Sequence, residues 1–118
     1  MAVQVRRIYE DRRPDDGARV LVDRLWPRGV SKERAALDEW CKQVAPSPEL
    51  RTWYGHDPAR YDEFVRRYRD ELTAGEQHDA LERLRQQAGH GTLTLLTATK
   101  DEQHCAAEVL LELLGEAG

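Results

Sequence analysis

Residues 19–29 read Arg19-Val20-Leu21-Val22-Asp23-Arg24-Leu25-Trp26-Pro27-Arg28-Gly29, and the fold turns on how this stretch is read. Val20, Leu21 and Val22 form an apolar, β-branched run that suits a strand covered on both faces. Pro27 cannot donate to a β-ladder and restricts Trp26 before it, while Gly29 frees the backbone to turn. The strand is therefore expected to end near Leu25. Asp23, Arg24, Trp26 and Arg28 then gather around one strand tip. A carboxylate, two guanidinium groups and a large ring so close together are costly to bury without partners, which points to a cleft.

Upstream of this stretch, Val3, Val5 and Ile8 stand among polar neighbours over residues 3–9, a first strand. Pro14-Asp15-Asp16-Gly17 is turn chemistry. The link is short for a parallel crossover, which normally needs about a dozen residues, so local signals favour a hairpin. A single helical turn at residues 14–17 would permit the parallel alternative.

Downstream, Ser31 can cap a helix starting at Lys32, with Leu37, Trp40, Cys41 and Val44 carrying its apolar surface to Ala45 before Pro46 ends it. Ser47-Pro48-Glu49 is a compact helix start, closed soon after by Gly55. Asp57-Pro58 repeats that signal, and Tyr61, Phe64, Val65, Tyr68 and Leu72 follow at amphipathic helical spacing. Gly75 interrupts the pattern. Ala80, Leu81, Leu84 and Ala88 resume it as another helix, ending at Gly89-His90-Gly91. Residues 92–98 form a third strand, with Leu93 and Leu95 on one face and Leu96 and Ala98 on the other. Thr99 with Glu102, or Asp101 alone, caps a last helix whose apolar face is Ala106, Val109, Leu110, Leu113 and Leu114. The expectation is an α/β fold, one compact domain over residues 1–118 with a small three-stranded sheet flanked by helices.

Composition narrows the function classes. Hydrophobic residues make up 40% of the chain and charged ones 34%, which suits a folded domain with a well-solvated surface and argues against disorder. No apolar run reaches the roughly 18–20 residues of a membrane span, and the N-terminus lacks a signal-peptide core, so a cytoplasmic protein without membrane partners is expected. Cys41 and Cys105 are then thiols instead of a disulfide. The net charge of −4 is uneven. Residues 1–69 hold 15 Lys and Arg against 12 Asp and Glu, or +3, and residues 70–118 hold 3 against 10, or −7. An acidic whole argues against tight non-specific DNA binding, but arginines gathered at a cleft can still hold a phosphate or carboxylate. The alternative is that they pair with neighbouring acids on the surface.

Parallel strands would bring their carboxyl ends together, where open α/β sheets bind ligands. Strand one would offer Tyr9 and Glu10, strand two Asp23, Arg24, Trp26 and Arg28, and strand three Thr97, Thr99, Lys100 and Asp101. Arg24, Arg28, Arg51 and Lys100 are candidates for holding an anion, Trp26 for a wall, and Asp23, His56 and Asp101 for acid/base work. Each has a structural alternative in salt bridging, packing or helix capping. Cys105 near Lys100 is either a nucleophile with a lowered pKa or a small buried residue. No metal or cofactor is expected: the histidines and cysteines lack ligand spacing, and no glycine-rich loop follows a strand. Two functions remain open, a small enzyme or binding protein for an anionic, nucleotide-like compound, and a non-catalytic module that binds nucleic acid or protein.

The string Val22-Asp23-Arg24-Leu25-Trp26-Pro27-Arg28-Gly29 resembles the YeaO-like family, a domain of unknown function numbered four-eight-eight. Ser31-Lys32-Glu33, Ala45-Pro46-Ser47, His56-Asp57-Pro58 and Lys100-Asp101 extend the resemblance nearly end to end. It implies a mainly parallel α/β sheet, which overrides the hairpin, and no settled activity. The chain departs from the resemblance in reading Thr97-Ala98-Thr99 where Tyr-Ala-Ala is usual, and in Cys105 where asparagine is usual. Longer relatives carry Cys-His-Arg there, but Ala106 and Ala107 follow Cys105 here, which weakens any mechanism borrowed from them.

Overall fold

Val20 and Leu21 lie in a parallel sheet in the computed structural model, which describes residues 2–101 and 103–116, the side chain of Glu116 excepted. Their strand ends at Leu21, short of the expected end near Leu25, and Val22 follows it with its N–H donating to the Leu96 carbonyl. The strands of the sheet are β1 (Ala2–Arg7), β2 (Ala18–Leu21), β3 (Glu39–Trp40) and β4 (Thr92–Thr97), in the order β1-β4-β2-β3. All pairings are parallel, as the resemblance implied; the sheet has four strands where three were expected. The hairpin favoured by local signals does not form because β4 lies between β1 and β2, placing Val5 and Val20 on either side of Leu95.

Alternation along the strands sorts two apolar layers. Val20, Val22, Leu93 and Leu95 face one core with Val3 and Val5; Leu21 and Leu96 face the other with Ile8, Val30 and Ala35. The first core lies under four helices: α2 (Pro48–Tyr54), α3 (Tyr61–Glu71), α4 (Gly75–Gly89) and α5 (Ala106–Glu116). The second lies under the segment that follows β2 and a single helical turn, α1 (Lys32–Ala35).

The helix starts follow the capping signals. Ser47 accepts from the Leu50 N–H, Pro48 opens α2, and Gly55 ends it at φ 55°. Asp57 accepts from the Ala59 N–H and caps a 3-10 turn over Pro58–Arg60 that runs into α3. Phe64, Tyr68 and Leu72 are buried on the stripe the spacing marked out, and burying Phe64 alone contributes about 2 kcal/mol. Glu102 lies outside the described residues, so the proposed Thr99 and Glu102 cap does too; Asp101 caps a turn ahead of α5 by accepting from the Gln103 N–H.

Residues 32–45 correct the sequence reading. The helix ends at Ala35 because Ala36 adopts a left-handed conformation at φ 50°, and Glu39–Trp40 then joins the sheet beside Val20 and Leu21. The helix-like spacing of Leu37, Trp40, Cys41 and Val44 is coincidental. Leu37 and Trp40 pack against the second core, while Cys41 and Val44 belong to the first.

The link from β1 to β2 contains no helix. Asp16, fully buried, takes the place of one: its carboxylate accepts from Arg19 Nη1 at 2.6 Å and from the Arg13 N–H at 2.9 Å, and it pairs with Arg6 Nε at 3.1 Å. Its carbonyl accepts from the Thr94 hydroxyl at 2.6 Å, and Arg19 Nη2 reaches the Ala35 carbonyl at 2.9 Å. Gly17 closes the link at φ 62°, where a Cβ would stand 2.2 Å from the Thr92 carbonyl oxygen. Only glycine fits there.

Candidate functional site

The carboxyl ends of β2 and β4 open onto a cavity of about 610 Å³. Asp23, Arg24, Trp26 and Arg28 line it together with Thr99, Lys100 and Asp101, so the two polar clusters face one hollow. Arg51 of α2 and His56 just beyond it line the same space. Tyr9 and Glu10 do not. The Tyr9 ring lies under Arg7 and its hydroxyl donates to the Arg28 carbonyl at 3.5 Å, while Glu10 accepts from the Arg7 N–H and pairs with Arg13.

Asp23 ties the two strand ends together. One carboxylate oxygen accepts from the Thr97 hydroxyl at 2.9 Å and the other from the Ala98 N–H at 2.8 Å. Burial raises its pKa above the usual carboxylate range. The Ala98 and Thr97 hydrogen bonds, then Arg51 and His56, pull it down without cancelling the rise. Trp40 Nε1 donates to the Asp23 carbonyl at 2.7 Å, so main chain and side chain are both fixed.

Arg24 is engaged by the backbone. Its Nε and Nη2 donate to the carbonyls of Pro46 and Ala45, each at 3.2 Å. The same segment is held from behind: Tyr68 donates to the Val44 carbonyl, Gln77 to that of Ala45, and Glu71 accepts from both the N–H and the hydroxyl of Ser47. Arg24 thus shapes a wall of the cavity. Trp26 forms another, with its edge against Trp40 at 5.3 Å between centroids and its Nε1 donating to the Val30 carbonyl at 2.8 Å.

Arg28, Arg51, His56, Lys100 and Asp101 are exposed at the rim. His56 has φ 57°, a left-handed conformation uncommon for a non-glycine residue and frequent at functional sites. Asp101 Oδ2 lies 2.8 Å from His104 Nδ1. Tyr54, at the cavity wall, donates to the His104 carbonyl at 2.5 Å, and burial followed by the charge of Asp101 pushes its phenol up to about 12.

Cys105 also lines the cavity, directly before α5. Burial pushes its thiol up to about 11, despite the N–H groups of Glu108 and Ala107 pulling it down. Of the two sequence alternatives, the small buried residue fits this setting: Cys105 is 2% exposed, and closeness to a helix start does not offset the lost hydration. Neither Cys105 nor Cys41 is in a disulfide. Among the described residues no helix is long and apolar enough to cross a membrane.

Sequence reasoning missed Tyr54, Pro46 and Ala106 as cavity residues. Their only local signals were those of helix ends, and their convergence depends on how α2 and α5 pack over the sheet.

Fold and cavity together define the class, a parallel α/β domain with a hollow at the ends of its central strands. Residues 2–117 match the family model described as the inactive DUF488-N3 subclade, and the chain belongs to that family. It is 41% identical over 114 residues to the uncharacterized protein YeaO of Escherichia coli, covering 97% of each chain. It is 51% identical over 114 residues to the uncharacterized protein Rv3073c of Mycobacterium tuberculosis, covering 95% of this chain and 92% of that one. An uncharacterized protein of Mycobacterium bovis, Mb3100c, is similar to the same extent. No solved structure matches the chain.

Proposed function

We propose that this protein binds a small anionic compound in the cavity at the ends of β2 and β4, and that binding, not turnover, is its function. The observation that carries the reading is the state of the cations. Elsewhere arginines such as Arg19, Arg66 and Arg83 are matched by carboxylates at 2.5–3.0 Å. Among the described residues none of Arg28, Arg51 and Lys100 comes within salt-bridge distance of a carboxylate, yet all three line one hollow. Such a rim attracts an anion, and a cavity of this size takes a small molecule.

Binding is preferred to catalysis for two reasons. The Asp101 carboxylate is taken up by His104 and the Gln103 N–H, and that of Asp23 by Thr97 and Ala98, so both act more readily as fixed polar contacts than as acid/base groups. The matched family model is also described as inactive.

Calorimetric titration of the full chain with inorganic phosphate and pyrophosphate tests the reading. Saturable binding is expected, lost in an Arg28→Ala, Arg51→Ala, Lys100→Ala triple variant. Absence of binding at low salt overturns it. So does tight, steeply salt-dependent binding of a single-stranded oligonucleotide, which would assign the cations to nucleic acid.

A further inference from the structure

The cavity is graded from floor to mouth, and the gradient indicates which way round a ligand sits. Buried Tyr54, Phe64 and Cys105 and half-buried Asp23 form the inner end, whereas Arg28, Arg51 and Lys100 are exposed at the outer end. Resting on the anion-binding reading above, we infer that the ligand is a flat, amino-bearing heteroaromatic monophosphate, its amino edge toward Asp23 and its phosphate toward Arg28, Arg51 and Lys100.

The inner end requires a donor. Each Asp23 oxygen accepts one hydrogen bond from the protein, while a carboxylate has about four acceptor positions in all. The guanidinium of Arg24, the next residue in the chain, donates to the Ala45 and Pro46 carbonyls. A keto edge offers a ring N–H only beside one or two carbonyl oxygens, which set acceptors against the second carboxylate oxygen. An exocyclic amino group supplies the matching N–H.

The middle requires a flat apolar body. The Trp26 N–H is committed to the Val30 carbonyl, so the indole presents carbon to the cavity. Val22, Pro27, Phe64 and Ala106 line the same cavity with side chains that offer no hydrogen bonds. The apolar face of an aromatic ring packs against such a surface, its polar atoms confined to the ring edge. The rim then offers three cations, none of which, among the described residues, comes within salt-bridge distance of a carboxylate, and this suits a phosphate.

Binding of adenosine, cytidine, inosine and uridine 5′-monophosphates and of ribose 5-phosphate to the full chain tests the inference by calorimetry. The amino-bearing adenosine and cytidine compounds are expected to bind about tenfold or more tightly than their keto counterparts, the effect of one hydrogen bond to a charged group. Asp23→Asn should reduce that preference to less than about twofold. Equal affinity for all five, or for ribose 5-phosphate and the nucleotides, overturns the inference and leaves anion binding intact. Failure of every compound together with phosphate and pyrophosphate removes the anion reading as well. The comparison among ligands uses the unaltered protein, so it holds even where Asp23→Asn does not fold.

Discussion

The Asp23 carboxylate spans the gap between two strand ends, accepting from the Thr97 hydroxyl at 2.9 Å and from the neighbouring Ala98 N–H at 2.8 Å. Burial, the largest influence on it, raises its pKa in the folded state. The folded carboxyl therefore keeps its proton to a higher pH than the unfolded one, whose pKa is about 3.9. Stability contributed at this residue falls as pH rises from about 4 through the raised value. Urea unfolding between pH 4 and 7 should show the wild type losing ground to Asp23→Asn as pH increases. A gain would mean that the carboxyl is lowered instead.

Asp16 behaves in the opposite sense. Burial pushes its carboxyl up, but the Arg13 N–H, Arg19 and Arg6 outweigh that and leave it lowered. Its contribution is complete above about pH 4 and is lost as pH falls through the lowered value. Asp16→Asn leaves Arg19 buried without its counter-charge and should cost about 3–5 kcal/mol at pH 7. Denaturant titration checks this, and the difference from wild type should narrow below pH 4.

Arg24 and Arg51 separate wall from rim. Arg24→Ala releases the Ala45 and Pro46 carbonyls and should destabilise the protein by about 1–3 kcal/mol. Arg51 is exposed, so Arg51→Ala should change stability by less than about 0.5 kcal/mol while weakening phosphate binding. Thermal melts beside calorimetric titrations distinguish the two; equal destabilisation by both would make Arg51 structural.

Cys105 should be slow to alkylate. A thiol raised to about 11 and 2% exposed offers little thiolate at pH 8. Iodoacetamide should label it at least about 100-fold more slowly in the folded protein than in urea. Rapid labelling of the folded chain would restore the nucleophile reading.

What the sequence disclosed depended on how local each signal was. The Val20-Leu21-Val22 run, the Ser47-Pro48 start and the Tyr61 to Leu72 stripe depend on neighbours within a few positions, and the structure keeps all three, though the strand stops at Leu21 and not near Leu25. β3 is two residues long, and the turn before it rests on Ala36 at φ 50°, a position no glycine or proline marks. Its register is held by Asp38, which accepts from the Arg19 N–H and donates to the Arg19 carbonyl across 19 positions. Asp16 reads locally as a turn acid; its burial depends on Gln4, Arg6 and Thr94, which only the sheet brings together. The cavity was legible where charge crowds at strand tips. It was illegible where α2 and α5 supply its lining.

The placement of β4 between β1 and β2 constrains how the chain is made. During synthesis the first 91 residues emerge without the strand that both earlier ones need, so their apolar faces and open edges wait for the last quarter of the chain. A ribosome-stalled or prematurely terminated product ending before Thr92 lacks the keystone of the sheet. It is the form of this protein that chaperones and proteases should recognise.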